Sequence, residues 1–183
     1  MPLSGSGWEL MVERLEMHTH EDQRRTYGRY RVFVDGKPAG IDGFMCESHG
    51  PGDNLTPENG KRVEAKRYPL FTHFGRYRTI GYADESAAPG ADPMPALRLE
   101  DTGARTGILI HPAYPPRTKL YLASVGCLNP AADLAAHEDN DFWESRRRTI
   151  ELIDSLKAFS PGSFVADESV AVPGAAVIIE GEP

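Results

Sequence analysis

Cysteine, positive charge and long apolar runs are scarce in this sequence, and each scarcity excludes a class of protein. The two cysteines, Cys46 and Cys127, are too few for a disulfide framework, and no C-x-x-C pair is present to hold zinc. Lysine and arginine number 20 against 27 aspartates and glutamates, which argues against nucleic-acid or anionic-membrane partners. The longest apolar runs span a few residues, far short of the roughly 18–20 of a membrane span.

The composition favours one folded domain that is rich in β-structure. Of the 183 residues, 40% are hydrophobic and 26% charged, enough to form a core and exclude a wholly disordered chain. The 18 glycines and 15 prolines indicate many turns and disfavour a helical bundle. We therefore predict a flexible tail over 1–7 and a single domain over 8–183, mainly β with peripheral helices.

Alternating apolar residues predict most of the strands. Trp8, Leu10 and Val12 indicate a first strand, and residues 27–47 a β-hairpin that turns at Asp35-Gly36. Further strands are predicted at these segments: 68–74, 77–82, 96–99, 106–111, 119–124 and 170–179. Long loops are predicted at 48–60 and 83–95, because they are rich in glycine, proline and polar residues.

Residues 18–25 are predicted as a polar loop. His18 and His20, followed by Glu21 and Asp22, leave a metal site conceivable. A solvated loop is the favoured interpretation, because no helical H-E-x-x-H frame is present.

Two helices are predicted after residue 128. Asn129-Pro130 is typical of a helix start and predicts a short helix over 130–136. Residues 141–159 are predicted to form the one long helix, with an apolar face and a stop at Ser160-Pro161-Gly162. Arg146, Arg147 and Arg148 are interpreted as its solvated face.

His111 and Cys127 are the candidate catalytic residues. His111 ends an apolar strand, and Cys127 follows Gly126 just before the predicted helix start. A helix N-terminus and an imidazole both favour the reactive thiolate, and backbone N–H groups near Gly126 could hold an oxyanion. The alternatives from the residues alone are a small buried cysteine and a hydrogen-bonded strand-end histidine.

Residues 107–129 resemble the active-site stretch of the L,D-transpeptidase catalytic domain. That signature is a strand-end His, a gap, and Ser/Thr-His-Gly-Cys-hydrophobic-Asn; His111 and the run Ser124-Val125-Gly126-Cys127-Leu128-Asn129 correspond to it, with Val125 in place of the second His. The stretch 27–130 is also similar to a little-studied phage and bacterial branch with a G-I-x-I-H and G-C motif. Its other features correspond to the hairpin Gly28 to Gly36, to Glu47 and to residues 63–68.

The resemblance implies a β-sandwich or barrel and a mechanism. Cys127 would be the nucleophile and His111 the general base, with Ser124, Gly126 and Asn129 shaping the site. The substrate would be the diaminoacyl–D-alanine bond of a peptidoglycan stem peptide. Pro112, which follows the base, has no side-chain hydrogen bond to orient it, so a carbonyl or a residue from elsewhere would have to do so.

Four further residues are candidate substrate contacts. Arg105 could bind a carboxylate bidentately, or form an ordinary salt bridge. Tyr114 could belong to a lid. His49 and His73 could line the cleft or lie on the surface.

We therefore expect an L,D-transpeptidase or L,D-carboxypeptidase type of enzyme, including D-amino-acid exchange, with no metal and no cofactor. No signal peptide is visible, so we expect a bacterial cytoplasmic product that acts in the periplasm or cell wall once delivered, as an antibacterial toxin with an immunity protein as partner. The alternatives are a degenerate binding domain of a phage or secretion assembly, and a cysteine peptidase or amidase acting on proteins.

Overall fold

A computed structural model describes residues 2–74, 94–113, 121–122, 124–165 and 168–183. Within them the chain forms eight strands, one α-helix and one 3₁₀ turn, and the predicted mainly-β class is confirmed. The elements are β1 Trp8–His20, β2 Gln23–Val34, β3 Lys37–Ser48, β4 Arg67–Thr72, β5 Leu97–Leu99, β6 Leu109–Ile110, β7 Asn129–Ala131, α1 Phe142–Phe159, the 3₁₀ turn Pro161–Phe164, and β8 Ala171–Glu180.

The strands form one sheet that nearly closes into a barrel. Their order is β6-β5-β4-β8-β1-β2-β3-β7, and the β1–β8 pair is parallel. The two ends of the sheet meet through a parallel bridge between Ile110 and Leu128. Leu128 N–H donates to Leu109 O at 2.8 Å, and His111 N–H donates to Leu128 O at 3.1 Å. We call this junction of β6 with residues 127–129 the seam.

The core fills one face of the sheet, as the alternation predicts. Trp8, Leu10 and Val12 are fully buried in it, and α1 covers them with Leu152, Ile153 and Leu156. The predicted long helix is confirmed: the Asp141 side chain caps it by accepting from Glu144 N–H. No helix in the described part of the chain is long and apolar enough to cross a membrane.

The predicted solvated face of that helix is wrong for one of its three arginines. Arg146 is buried, whereas Arg147 is exposed and Arg148 is half-buried. Successive helical residues are about 100° apart, so the three arginines spread over about 200°, and Arg146 lies on the buried side next to Ser145.

Several predicted strands are confirmed with shifted ends. The hairpin over 27–47 is β2 and β3, and β4, β5, β6 and β8 lie within or next to the segments predicted at 68–74, 96–99, 106–111 and 170–179. The predicted loop at 48–60 contains no strand or helix after Ser48, the last residue of β3. The segment 77–82, most of 83–95 and half of 119–124 lie outside the described residues.

The predicted polar loop at 18–25 is wrong. β1 continues to His20 and β2 begins at Gln23, so only Glu21 and Asp22 form the turn. Polar residues extend the ladder here because they pair across it: His18 is opposite Arg25, and Arg25 Nη2 lies 3.3 Å from His18 Nδ1. His18 is buried rather than solvated.

The predicted helix over 130–136 is also wrong. Asn129 to Ala131 form β7, which pairs with β3. Pro130 is tolerated because β7 ends the ladder and needs no N–H at that position. The Asn129 side chain therefore does not cap a helix, and the electrostatic support that a helix N-terminus would give Cys127 is missing.

Candidate functional site

The strand register relates three of the predicted site residues, His73, His111 and Asn129, to a row of core-facing residues. Thr72 pairs with Leu97, and Leu97 pairs with Ile110. Ile110 in turn bridges Leu128, and side chains of this row belong to the core. Because side chains alternate along strands, the next row faces away from that core. That row consists of His73, Ala96, His111 and Asn129.

Cys127 is a free, half-buried thiol at the start of the seam. Leu109 N–H donates to its Sγ at 3.4 Å, and Sγ donates to Gly107 O at 3.6 Å. Burial raises the pKa of the Cys127 thiol, while the Leu109 N–H and the charge of Arg105 lower it. Formation of the Cys127 thiolate is therefore opposed by burial and favoured by Arg105 and the Leu109 N–H.

His111 is fixed by the backbone next to it. Its ring Nδ1 lies 2.7 Å from Pro112 O, so Nδ1 carries the proton and Nε2 is the unprotonated, basic nitrogen of the neutral ring. Asn129 Nδ2 donates to His111 O at 2.9 Å and lies 3.4 Å from Nε2. The carbonyl of Pro112, rather than any side chain of that residue, thus orients the imidazole.

Burial lowers the pKa of His111 to about 4, with the charge of His73 acting in the same direction and the Pro112 carbonyl opposing it. The imidazole is therefore neutral at pH 7 and able to accept a proton. The hydrogen bonds of Sγ are with Leu109 and Gly107. A nucleophile and its base should lie within about 4 Å of each other, and for Cys127 and His111 this stays a prediction.

The lowered pKa of His111 predicts an acid-labile fold. In the unfolded chain this histidine titrates near 6.5, so the unfolded state binds more protons between pH 6.5 and 4, and folding stability falls as the pH falls through this window. We expect the contribution of His111 to lower the free energy of unfolding by about 2 kcal/mol between pH 7 and pH 5. Urea unfolding of the wild type and of His111→Gln at pH 7, 6 and 5 measures it; two parallel pH curves would contradict the prediction.

Arg105 reaches the site from the segment before β6. It is 5% exposed, and its Nη1 donates to Lys61 O at 2.6 Å and to Asp53 O at 3.4 Å. Its other terminal nitrogen lies against Gly126: a Cβ at that position would be 2.0 Å from Nη2. Glycine is therefore required there, both for this approach and for its φ of +113°.

The alternative of an ordinary salt bridge for Arg105 is not what the structure shows. Among the described residues, no carboxylate lies within ion-pair distance of its guanidinium. Arg98 and Arg105 line the same cleft of about 710 Å³, together with Gly107. Arg98 is paired, with Nη2 2.6 Å from Glu100 Oε1, so Arg105 is the unpaired cation of these two.

Ser124 shapes the turn that carries the thiol. Its hydroxyl lies 3.1 Å from Cys127 O and 2.8 Å from Asn129 Oδ1, and Ser48 Oγ donates to Ser124 O at 3.1 Å. Val125, which replaces the second histidine of the family signature, is 75% exposed and supports nothing in the site.

The remaining candidates differ in position. His73 is half-buried in the row that contains His111, with Nδ1 buried and without a hydrogen-bond partner. His49 is half-buried, and its carbonyl accepts from Arg62 N–H at 3.1 Å; its neighbour Ser48 contacts Ser124. Tyr114 lies outside the described residues. Among the residues described, no group of three or more His, Cys, Asp or Glu could hold a metal.

A carbonyl was one of the two expected ways to orient His111, and Pro112 O is that carbonyl. The support of Arg105 was not predicted, and the carbonyls of Asp53 and Lys61 provide it. Backbone groups leave no signal in the identity of a side chain. The cleft residue Arg98 was missed for another reason, since a single charged residue in a short strand carries no pattern of its own.

Comparison with known proteins found no family model, no curated protein and no solved structure that matches the chain. The resemblance to the L,D-transpeptidase domain is therefore one of signature residues alone.

Proposed function

We propose that the protein performs cysteine-dependent acyl transfer or hydrolysis on peptidoglycan stem peptides. The observation that supports this most is the arrangement at the seam. A half-buried thiol, a neutral imidazole oriented by a carbonyl, and a guanidinium without a carboxylate partner among the described residues all lie along the seam. These are the groups that a covalent acyl transfer needs: a nucleophile, a base and a positive charge.

In the proposed reaction, Sγ of Cys127 attacks the carbonyl carbon of the diaminoacyl–D-alanine bond as its proton passes to Nε2 of His111. The carbon–nitrogen bond then breaks, and the released amine takes the proton from the imidazolium. The resulting thioester is resolved by an amine or by water. An amine acceptor gives transpeptidation or D-amino-acid exchange, and water gives L,D-carboxypeptidase activity.

The other candidate residues have supporting roles in this proposal. Ser124, Gly126 and Asn129 hold the turn that presents the thiol, and Arg105 supplies positive charge beside it. His73, His49 and Tyr114 are proposed to contact the substrate. No cofactor is required, because every step is proton transfer and acyl exchange.

The proposed setting follows from the substrate. A cell-wall enzyme acts outside the cytoplasm, and delivery to the periplasm as an antibacterial effector of a secretion or phage system would bring it there. Its producer would require a neutralising immunity protein as partner. This part of the proposal depends on the peptidoglycan activity and is tested after it.

A second candidate, a degenerate binding domain, has specific support. Burial raises the pKa of Cys127, no helix begins at Asn129, and Val125 stands where the family has a histidine. Such a domain would bind its partner without modifying it.

Iodoacetamide labelling separates the two candidates without any substrate. Cys46 is buried, and burial raises its pKa to about 11, so we expect Cys127 to react at least about ten times faster at pH 7, since thiolate fraction and access set the rate. Intact-protein mass spectrometry of the wild type, Cys46→Ala and Cys127→Ala assigns each modification. Equal rates, or faster labelling of Cys46, would favour the degenerate domain.

A further inference from the structure

Arg105 presents a chemical problem that its hydrogen bonds do not solve. Its guanidinium is almost fully buried, and both carbonyls that it binds are neutral. Burying a charge without an opposite charge is costly. A neutral glutamine at position 105 could donate to a carbonyl of the loop at residues 53–61 without the cost of burying a charge. A retained buried cation therefore indicates an anion that is present only in some states of the protein.

The anion within reach is at Cys127. Nη2 of Arg105 lies against Gly126, the residue directly before the cysteine. Arg105 and Cys127 also influence each other's charge, since the thiolate raises the pKa of Arg105 while burial lowers it. The charge of Asp53 and the phenol of Tyr68 also raise the pKa of Arg105, after burial, which lowers it, and Cys127. Among the described residues, Arg105 is the one permanent cation whose charge lowers the pKa of the Cys127 thiol.

His111 is poorly suited to supply that charge. In enzymes with a Cys–His pair, an imidazolium often stabilises the thiolate. Here the ring is neutral at pH 7, because burial lowers its pKa to about 4. It can accept a proton during the reaction, but it does not provide a standing positive charge.

We propose that Arg105 is the fixed counter-charge of the Cys127 thiolate, and that positive charge and proton transfer are divided between Arg105 and His111. Ionisation breaks the S–H bond and releases the proton to solvent or to His111, while the guanidinium keeps all its protons. Arg105 thus acts as a positioning residue through the sulfur. The inference deepens the proposed function, but thiolate formation itself needs no peptidoglycan.

The test is the pH profile of Cys127 alkylation in a Cys46→Ala background. Iodoacetamide forms the S–C bond as iodide leaves, and the rate follows the thiolate. An opposite charge within about 4–6 Å lowers a pKa by roughly 1–3 units. We therefore expect Arg105→Gln to raise the midpoint by at least one unit and to slow labelling at pH 7 about ten-fold or more.

Three further variants show what the shift means. Arg98→Gln removes the paired arginine of the same cleft and should leave the midpoint unchanged. His111→Gln should leave it within half a unit, on the order of the scatter between such profiles. Arg105→Lys keeps the positive charge but cannot make both carbonyl contacts. A midpoint near that of the wild type would show that Arg105 acts through its charge. A midpoint near that of the glutamine variant would show that Arg105 acts through its structural contacts.

An unchanged midpoint in Arg105→Gln, or an equal shift in His111→Gln, overturns the inference. If circular dichroism shows that the glutamine variant is unfolded, the lysine variant decides, and a rise of more than about one unit overturns the inference. If the alkylation midpoints shift as expected but the protein does not process the stem peptide, the inference about Arg105 stands and the enzyme proposal fails. If the stem peptide is processed but Arg105→Gln leaves the midpoint unchanged, the enzyme proposal stands and the inference about Arg105 fails.

Discussion

Replacing Cys127 with alanine is expected to abolish turnover of a peptidoglycan tetrapeptide and to leave the fold intact. Without sulfur, no thioester can form. The side chain is half-buried at the sheet junction, and the change removes one atom, so the free energy of unfolding should fall by less than about 1.5 kcal/mol. Mass spectrometry of the muropeptides, with loss or exchange of the terminal D-alanine as the readout, measures the activity.

Cys46→Ala is the matched control for that experiment. Cys46 lies in β3 within a separate cluster with Tyr27 and Ala131, so its variant should keep full activity. His111→Ala should cost most of the activity, and the double change should cost no more than the worse single one, because the two residues act as a unit. An active Cys127→Ala or an inactive Cys46→Ala would show that the site is elsewhere. Cleavage of casein rather than muropeptides would favour a protein peptidase.

Glu47→Ala is expected to be the most destabilising single substitution among the ion pairs described. Glu47 and Arg14 form a bidentate pair, with both oxygen–nitrogen distances at 2.8 Å, and their side chains are 2% and 0% exposed. Removing one partner leaves the other charge buried, which typically costs 3–5 kcal/mol. Urea unfolding followed by the fluorescence of the buried Trp8 measures the loss.

Glu13→Ala provides the comparison, because Glu13 is the neighbour of Arg14 on β1. Its pair with Arg29 is exposed, at 45% and 56%, and such pairs contribute about 0–1 kcal/mol. Replacing Arg14 with Met and Glu47 with Leu together should cost far less than Glu47→Ala alone, because no unpaired charge remains. Equal losses in Glu13→Ala and Glu47→Ala would mean that Glu182, which also contacts Arg14 at 3.0 Å, compensates for the missing carboxylate.

Elements with a strong period were predictable from sequence. The hairpin of β2 and β3 and the helix α1 each carry one repeating pattern over ten or more residues, and the structure confirms them. The failure at 130–136 has the opposite cause. Asn129-Pro130 is a strong local signal for a helix, but pairing of residues 129–131 with β3 outweighs it. The residues of β3 lie more than eighty positions earlier, so no local pattern reveals them.

The candidate site was likewise predictable from sequence only in part. Its side chains, Cys127, His111 and Arg105, were predicted because chemistry depends on residue type. How Arg105 is held was not predicted, because two loop carbonyls provide its contacts. For His111 a carbonyl was one of two expected alternatives, and Pro112 O is that carbonyl. The meeting of β6 with Leu128 depends on closure of the whole sheet, which only the folded chain establishes.

The position of β8 determines when during biosynthesis the protein can acquire its site. β8 lies between β1 and β4 and pairs Ala175 with Trp8, so the first and last strands of the described chain are neighbours. Until residues 171–180 have left the ribosome, β1 and β4 have no partner on that side, and the two ends of the sheet cannot meet. Contacts this distant in sequence slow folding. A nascent chain therefore already carries Cys127 and His111 but has no assembled thiol site until residues 171–180 have emerged.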